Sequence, residues 1–463
     1  MRQIVAGAAS RARWPLILAL ASTLLAPPLV ADDTVDELKA QVESLKVEVA
    51  RLKEQGAEAE RLKELERRID LLAAEIERAR TGGAVEVEPT VVVPGFGPAA
   101  SKVYRTAKGV SLGGYGEALF EHFAGESQNG EPGGQSDVLD QLRLVAYLGY
   151  KFSDSILFNS EIEFEHATSG EGDEEKGEVS VEQAYLDFKP WKSAGFRAGQ
   201  VVLPLGFLNE LHEPPIFHGA RRTEVERLII PTTWHEVGAG AFGEAGPLQW
   251  RAYVVAGLSS EGFDGEEGIS EGRQGGSQSR ANDLAFTARL DFTGVHGLLA
   301  GASLFTGNSG QGAEVDGRGI GGRVTLYDVH AQLEHRGLQL RALYAHTSIG
   351  DAALINAANG LEGDESVGER QFGFYLQAAY DVMALRPAGR WSVTPFVRYE
   401  RLDTQERVPA GYERDPANDQ RIWTAGVGVK PIPNVALKAD YQWFSNQART
   451  GTDRLHLAIG YLF

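Results

Sequence analysis

Residues 455–463 read "LHLAIGYLF", which in an extended chain puts Leu455, Leu457, Ile459, Tyr461 and Phe463 on one face and His456, Ala458 and Gly460 on the other. The solvent that meets the apolar face decides the fold. The same period of two recurs far upstream. In "SILFNSEIEFEHA", Ile156, Phe158, Ile162 and Phe164 oppose Asn159, Glu161, Glu163 and Glu165. In "PLQWRAYVVAG", Leu248, Trp250, Ala252 and Val254 oppose Gln249, Arg251 and Tyr253, and "NDLAFTARLDF", "RWSVTPFVRYE" and "NVALKADYQWF" repeat the scheme.

From residue 110 onward the sequence holds about sixteen such segments, an even number typical of bacterial outer-membrane barrels. Their connections alternate long and short: "GESQNGEPGGQSD" then "SD", the "SGEGDEEKGE" region then "KPWKSA", residues 203–232 then "EAGP", and so on to "SNQARTGTD". A barrel inserted from the periplasm sorts its loops in this way, whereas a soluble sandwich has no reason to. The apolar faces are therefore expected to meet lipid. The fold class is all-β transmembrane: an antiparallel outer-membrane β-barrel of about sixteen strands, preceded by an α-helical coiled coil. A hydrophobic content of 43% is compatible with this, because every barrel strand hides half its positions in polar residues. After residue 31 no continuous apolar run is long enough for a spanning helix, so any insertion must use strands.

Residues 1–31 carry Arg2, Arg11 and Arg13 before "WPLILALASTLLA" and are expected to be a secretory signal. Residues 32–82 place Val35, Leu38, Val42, Leu45, Val49 and Leu52 at heptad spacing, and Leu62, Leu65, Ile69, Leu72 and Ile76 resume it after Gly56. They are expected to form a periplasmic coiled coil, either an oligomerising stalk or a spacer. Residues 83–109, rich in Gly and Pro, read as a linker, and 110–463 as the barrel. The chain has no cysteine, so it does not rely on disulfides. A net charge of −19 argues against nucleic acid as a partner. Much of the acid lies in loops such as "EGDEEKGE" and "SSEGFDGEEGISEG", which read as solvated.

The third long loop, "VLPLGFLNELHEPPIFHGARRTEVERLIIPTTWHEVGAGAFGE", is too apolar to wave freely. Leu205, Phe207, Leu208, Leu211, Ile216, Phe217, Leu228, Ile229 and Ile230 need a place to pack, and the barrel interior offers one. By strand parity Arg143, Arg197, Arg251, Arg289, Arg341, Arg398 and Arg454 oppose apolar positions and should face the lumen, together with Glu161, Glu163, Glu165, Asp291, Glu400 and Asp440. On the lipid face an arginine would cost about 2–4 kcal/mol. Two roles stay open for these guanidinium groups: an anion-attracting lining, or neutralisation of neighbouring acids across the wall. "GAGAFG" at Gly238–Gly243 matches a dinucleotide glycine pattern, but no helix follows, and the glycines are expected to leave room for the inserted loop. His212, His218 and His235 show no zinc-site spacing and read as structural donors.

Residues 110–463, and "TEVERLIIPTTWHEVGAGAFG" above all, resemble the phosphate-selective porin O and P family. The resemblance implies a third loop folded inward as the pore constriction, and a homotrimer. Within that loop Arg221, Arg222 and Arg227 are expected either to line the constriction or to brace the loop by pairing with Glu224 and Glu226. The expected function is passive diffusion of small hydrophilic solutes across the outer membrane, favouring anions such as phosphate. No cofactor is required. The partners are solutes, outer-membrane lipid and, through the coil, the cell wall. A plugged structural tether and a barrel-rim hydrolase are the alternatives.

Overall fold

The computed structural model describes residues 93, 95–167, 177–385 and 391–463. The expected signal peptide and coiled coil lie outside the described residues. Strands β1 (Gly109–Phe123), β2 (Val138–Lys151), β3 (Ile156–Glu165), β4 (Val179–Phe188), β5 (Ala194–Val202), β6 (His235–Ala245), β7 (Leu248–Ala256) and β8 (Leu284–Val295) form the first half of the wall. The second half is β9 (Leu298–Gly307), β10 (Val324–His335), β11 (Leu338–Ile349), β12 (Arg370–Tyr380), β13 (Ser392–Arg407), β14 (Asp419–Ile432), β15 (Val435–Asn446) and β16 (Arg454–Leu462). Each pairs antiparallel with its sequence neighbours. β1 closes on β16 in a register running from Tyr115 opposite Leu462 to Phe123 opposite Arg454, giving a closed barrel of sixteen strands.

Closure leaves no unpaired edge, so the backbone of the wall is satisfied within the wall. Side chains then sort by parity. Along β2, Leu144, Leu148 and Tyr150 point out and are exposed, while Arg143, Val145 and Tyr147 point in and are buried. The closing strand does the same: Leu457 and Ile459 are outside, and His456 is inside with no exposure. The outer surface carries aromatic residues toward both rims, with Trp191, Trp391 and Phe463 on the short-turn side and Tyr327, Trp423 and Trp443 toward the long loops. Among the described residues no helix is long and apolar enough to cross a membrane.

Three local expectations change. Part of the span read as a linker is folded: residues 95–106 run along the inner wall and end in a one-turn helix, α1 (Lys102–Arg105), burying Phe96, Ala99, Ala100 and Val103. The loop "SSEGFDGEEGISEG" is not simply solvated, because Phe263 and Ile269 are buried and anchor it over the barrel mouth. The glycines of "GAGAFG" do not make room for the third loop. A Cβ on Gly240 would lie 2.0 Å from the Ala252 carbonyl oxygen and 2.6 Å from the Tyr253 ring, so neighbouring β7 requires the glycine.

The apolar exterior gives a direct test. Leu376, mid-strand on β12, is 57% exposed on the outer face. Leu376→Arg should lower folding stability in lipid vesicles by about 2–4 kcal/mol, measured by reversible denaturant titration.

Candidate functional site

The third loop, residues 203–234, leaves β5, crosses the lumen and returns to β6. Its neck is held by one side chain. The Asn209 amide donates to the carbonyls of Leu203 (2.6 Å) and Trp234 (3.0 Å) and accepts from the Trp234 amide (2.6 Å). Trp234, fully buried, packs on Phe305 with ring centroids 4.4 Å apart. Leu203, Leu205, Phe207, Leu208, Val225, Leu228, Ile229 and Ile230 form the loop's own apolar core against the wall. Inside that core the Glu226 carboxylate accepts from the Phe207 and Leu208 amides and the Tyr375 hydroxyl, at 2.7, 2.6 and 2.7 Å. Burial pushes the Glu226 carboxyl up, and three donors are what make it tolerable there.

The loop's far end rests on two supports. Below, Glu213 accepts from the amides of Ala99 and Ala100, each at 3.0 Å, joining the loop to the N-terminal segment. Opposite, the Ala220 amide donates to Asp440, Lys438 donates to the Gly219 carbonyl, and Arg398 donates to the His218 carbonyl. The His218 ring stacks on Phe396, and burial pushes its imidazole down to about 4, leaving it neutral at ordinary pH.

Set this way, the loop stands between two cavities of the lumen. The outer one, about 1080 Å³, is bounded by Glu117, Glu121, Arg143, Glu163, Arg221, Arg222, Arg454 and residues 270–277 of the loop between β7 and β8. The inner one, about 390 Å³, is bounded by Phe96, His218, Arg341, Lys430 and Lys438. Phe217, at the loop's tip, borders both spaces.

Every arginine expected to face the lumen is on the inner face, and the structure shows what each one touches. Arg143 pairs with Glu117 (2.9 Å) and Glu163 (3.4 Å), and Arg197 with Asp187 (2.7 Å). Arg251 meets Glu210 (2.8 Å) and Asp291 (3.1 Å), Arg289 meets Asp291 (2.8 Å), and Arg398 meets Glu400 (2.7 Å). Arg341 donates to Gln332 and lies over the Phe207 ring. Arg454 lies over the rings of Phe123 and Phe444, with Glu224 at 4.0 Å. Glu161 is fully buried, held by Tyr147 and Gln183.

The loop arginines differ from one another. Arg221 pairs with Glu121 at 2.6 Å, and Arg227 with Glu224 at 2.8 Å and Glu267 at 3.2 Å. Those carboxylates raise the Arg227 guanidinium. Arg222 makes one long contact, to the Thr233 hydroxyl at 3.4 Å, while its Nε and Nη2 are buried without a partner among the described residues. The arrangement is thus a set of opposed charges rather than a bare cationic ladder. The partners Glu117, Glu121 and Glu182, and Lys438, were not singled out from sequence. Parity in "GEALFEHF" does put Glu117 and Glu121 on one face.

A protein of Aquifex aeolicus (strain VF5), described as uncharacterized, is 39% identical over 376 residues, spanning 80% of this chain and 83% of the relative. The chain belongs to that protein's family. No family model matches it. Among solved structures, Salmonella typhi OmpF in complex with daunomycin superposes with a TM-score of 0.50 at 12% identity, covering 77% of this chain and 98% of that one. The anion-selective porin from Comamonas acidovorans gives 0.49 at 11% identity over 76% of this chain and 99% of its own. The outer membrane channel DcaP of Acinetobacter baumannii gives 0.49 at 13% identity over 76% and 97%. At such identities the likeness is one of fold: a porin-like barrel.

The support beneath the loop can be tested alone. Glu213→Ala leaves the Ala99 and Ala100 amides unpaired in a buried place, a loss of about 1–3 kcal/mol. Their hydrogen exchange should accelerate roughly tenfold or more, with amides of the central wall strands unchanged.

Proposed function

We propose that this chain is an outer-membrane porin through which small hydrophilic solutes diffuse passively, with the third loop as its constriction. The observation that carries this reading is a closed barrel with an apolar exterior that encloses two cavities edged by charged side chains, one on each side of the third loop, with Phe217 bordering both. Water in the lumen lowers the barrier for a charged solute, and fixed charges at the narrow point set its sign. Arg221, Arg222 and Arg227 of the loop border the outer cavity on the way to that point, and Arg143, Arg197, Arg251, Arg289, Arg341, Arg398 and Arg454, with Glu161 and Glu163, make up the wall.

A weak anion preference, with phosphate as a candidate solute, is supported by the unpaired bidentate edge of Arg222 and by the inner cavity, where Arg341, Lys430 and Lys438 outnumber Glu334 and Asp381. Residues 1–31 are read as a signal peptide and 32–82 as a periplasmic coil, with a homotrimer as the assembly and the cell wall as a contact of the coil. The resemblance to phosphate-selective porins supports the trimer and the third loop as constriction.

A planar-bilayer recording under a salt gradient tests the reading. Discrete ohmic steps are expected, with phosphate acting as a blocker. Trimers without conductance would favour a plugged tether, and hydrolysis of peptide or lipid without conductance a rim enzyme. Replacing Arg221, Arg222 and Arg227 by alanine unmasks Glu121, Glu224 and Glu267, so the reversal potential should move toward cations. An unchanged potential would remove the loop arginines from the selectivity mechanism while leaving the channel itself in place.

A further inference from the structure

Three buried histidines sit against two carboxylates each, and one of them is unlike the others. His456 has Asp440 at Nδ1 and Glu121 at Nε2, both at 2.8 Å. His330 has Asp328 at Nδ1 (2.5 Å) and Asp291 at Nε2 (2.9 Å). In these two, each ring nitrogen has its own acid, and the ring acts as a brace between wall strands. In His212 the Nδ1 donates to the Asn209 carbonyl at 2.8 Å, and a single nitrogen, Nε2, faces both Glu161 (3.1 Å) and Glu182 (3.5 Å). With Nδ1 donating to a backbone carbonyl, Nε2 is the nitrogen left for the acids: it donates to Glu161 in the ion-free protein, and its proton leaves when a metal takes its place, as at other metal-binding histidines.

The three ligand atoms lie within 4.8 Å of one another, and all three residues are buried. Among the described residues this is the one place where three such atoms converge. The two shorter spacings bracket the ligand-to-ligand edge of about 3.3 Å that a tetrahedral ion with bonds near 2.0 Å requires. Each ligand is also oriented from behind. Tyr147 donates to Glu161 Oε1 at 2.8 Å and Gln183 to its Oε2 at 2.9 Å, while the Thr233 hydroxyl donates to Glu182 Oε1. A separate observation points to a missing partner: Glu182 Oε2, the oxygen turned toward His212, is buried and makes no hydrogen bond among the described residues, its nearest cationic neighbour being His212 Nε2 at 3.5 Å, although Glu182 is only 2% exposed. Such an atom requires a hydrogen-bond donor or a cation.

We infer that His212, Glu161 and Glu182 form a binding site for a divalent transition-metal ion of the zinc, manganese or iron(II) type. One imidazole and two carboxylates are the donors such ions take, and they leave a coordination position for water. Glu161 belongs to β3, Glu182 to β4 and His212 to the third loop, so a bound ion ties the loop to the wall beside its neck. Glu182 and Thr233 line the outer cavity, which gives the ion its entry path. Arg222 is close enough for its charge to act on His212 and opposes the ion's charge. This site is independent of whether the barrel conducts.

The experiment is calorimetric titration of the purified, chelator-treated full-length protein with zinc chloride in a phosphate-free buffer, paired with the visible spectrum of its cobalt(II) form. The expected result is one saturable ion per chain and the strong absorption of a four- or five-coordinate site. His212→Gln and Glu182→Gln should each weaken binding more than tenfold, and Tyr147→Phe, which disturbs only an orienting bond, by about tenfold. Arg222→Gln should tighten it. His122→Gln, at an exposed histidine on the first long loop's edge, should change nothing. Variants count only if they keep the heat-resistant electrophoretic migration of the folded barrel. Where they do not, the wild-type cobalt spectrum decides. Absence of saturable binding, a cobalt spectrum like that of the aqueous ion, or unchanged affinity in folded His212→Gln and Glu182→Gln would overturn the site and identify His212 as a third brace.

Discussion

A closed antiparallel ladder lets one thin wall of polypeptide separate hydrocarbon from water. In lipid every backbone polar group needs a partner, and only closure supplies it without an edge. Pairing of β1 with β16 meets that requirement, and the rest of the molecule depends on it. Once the ladder is closed, side-chain parity is forced, and apolar residues go to one solvent and polar residues to the other. The barrel therefore has no conventional apolar core spanning its cross-section. The apolar core among the described residues is built from the third loop, the N-terminal segment laid against the inner wall, and buried residues of other long loops such as Phe263, Ile269 and Ile355.

Placing a loop in the lumen brings charges into contact, and the interior resolves them by pairing. A buried ion left alone is far more costly than one paired and hydrogen bonded. Arg398, 1% exposed, is held by Glu400 and by the His218 carbonyl, and Glu226 is held by three donors. The same pairing fixes the loop's path. Asn209 closes its neck, Asp440, Lys438 and Arg398 seize its tip, and Glu213 rests it on residues 99 and 100. Some buried polar atoms stay without a hydrogen bond among the described residues, the fork of Arg222 and Glu182 Oε2 among them.

Much of this was legible in the sequence, for a physical reason. A period of two assigns each residue to a face without knowledge of the fold, so the strands, the loop sorting and the inward arginines could be read directly. Parity gives neither height nor azimuth, which follow from register and closure. His456 meets Glu121 across 335 residues, and Ala220 meets Asp440 across 220, and no local pattern announces such pairs. The same limit concealed His212 with Glu161 and Glu182, because spacing among histidines alone says nothing about acids on other strands. The N-terminal segment misled for a different reason. Gly95 and Gly97 read as punctuation, yet a Cβ at either would lie within 2.5 Å of Glu210 or Glu213, so they are glycines of close approach.

The central claim is a single water path that narrows at the tip of the third loop. The chain has no cysteine, which permits a clean test with Phe217→Cys and a small charged thiol reagent during single-channel recording. The account predicts a stepwise fall in current in this variant whichever side the reagent is added, with no change in the unaltered protein. Open channels whose current is indifferent to modification at residue 217 would contradict it.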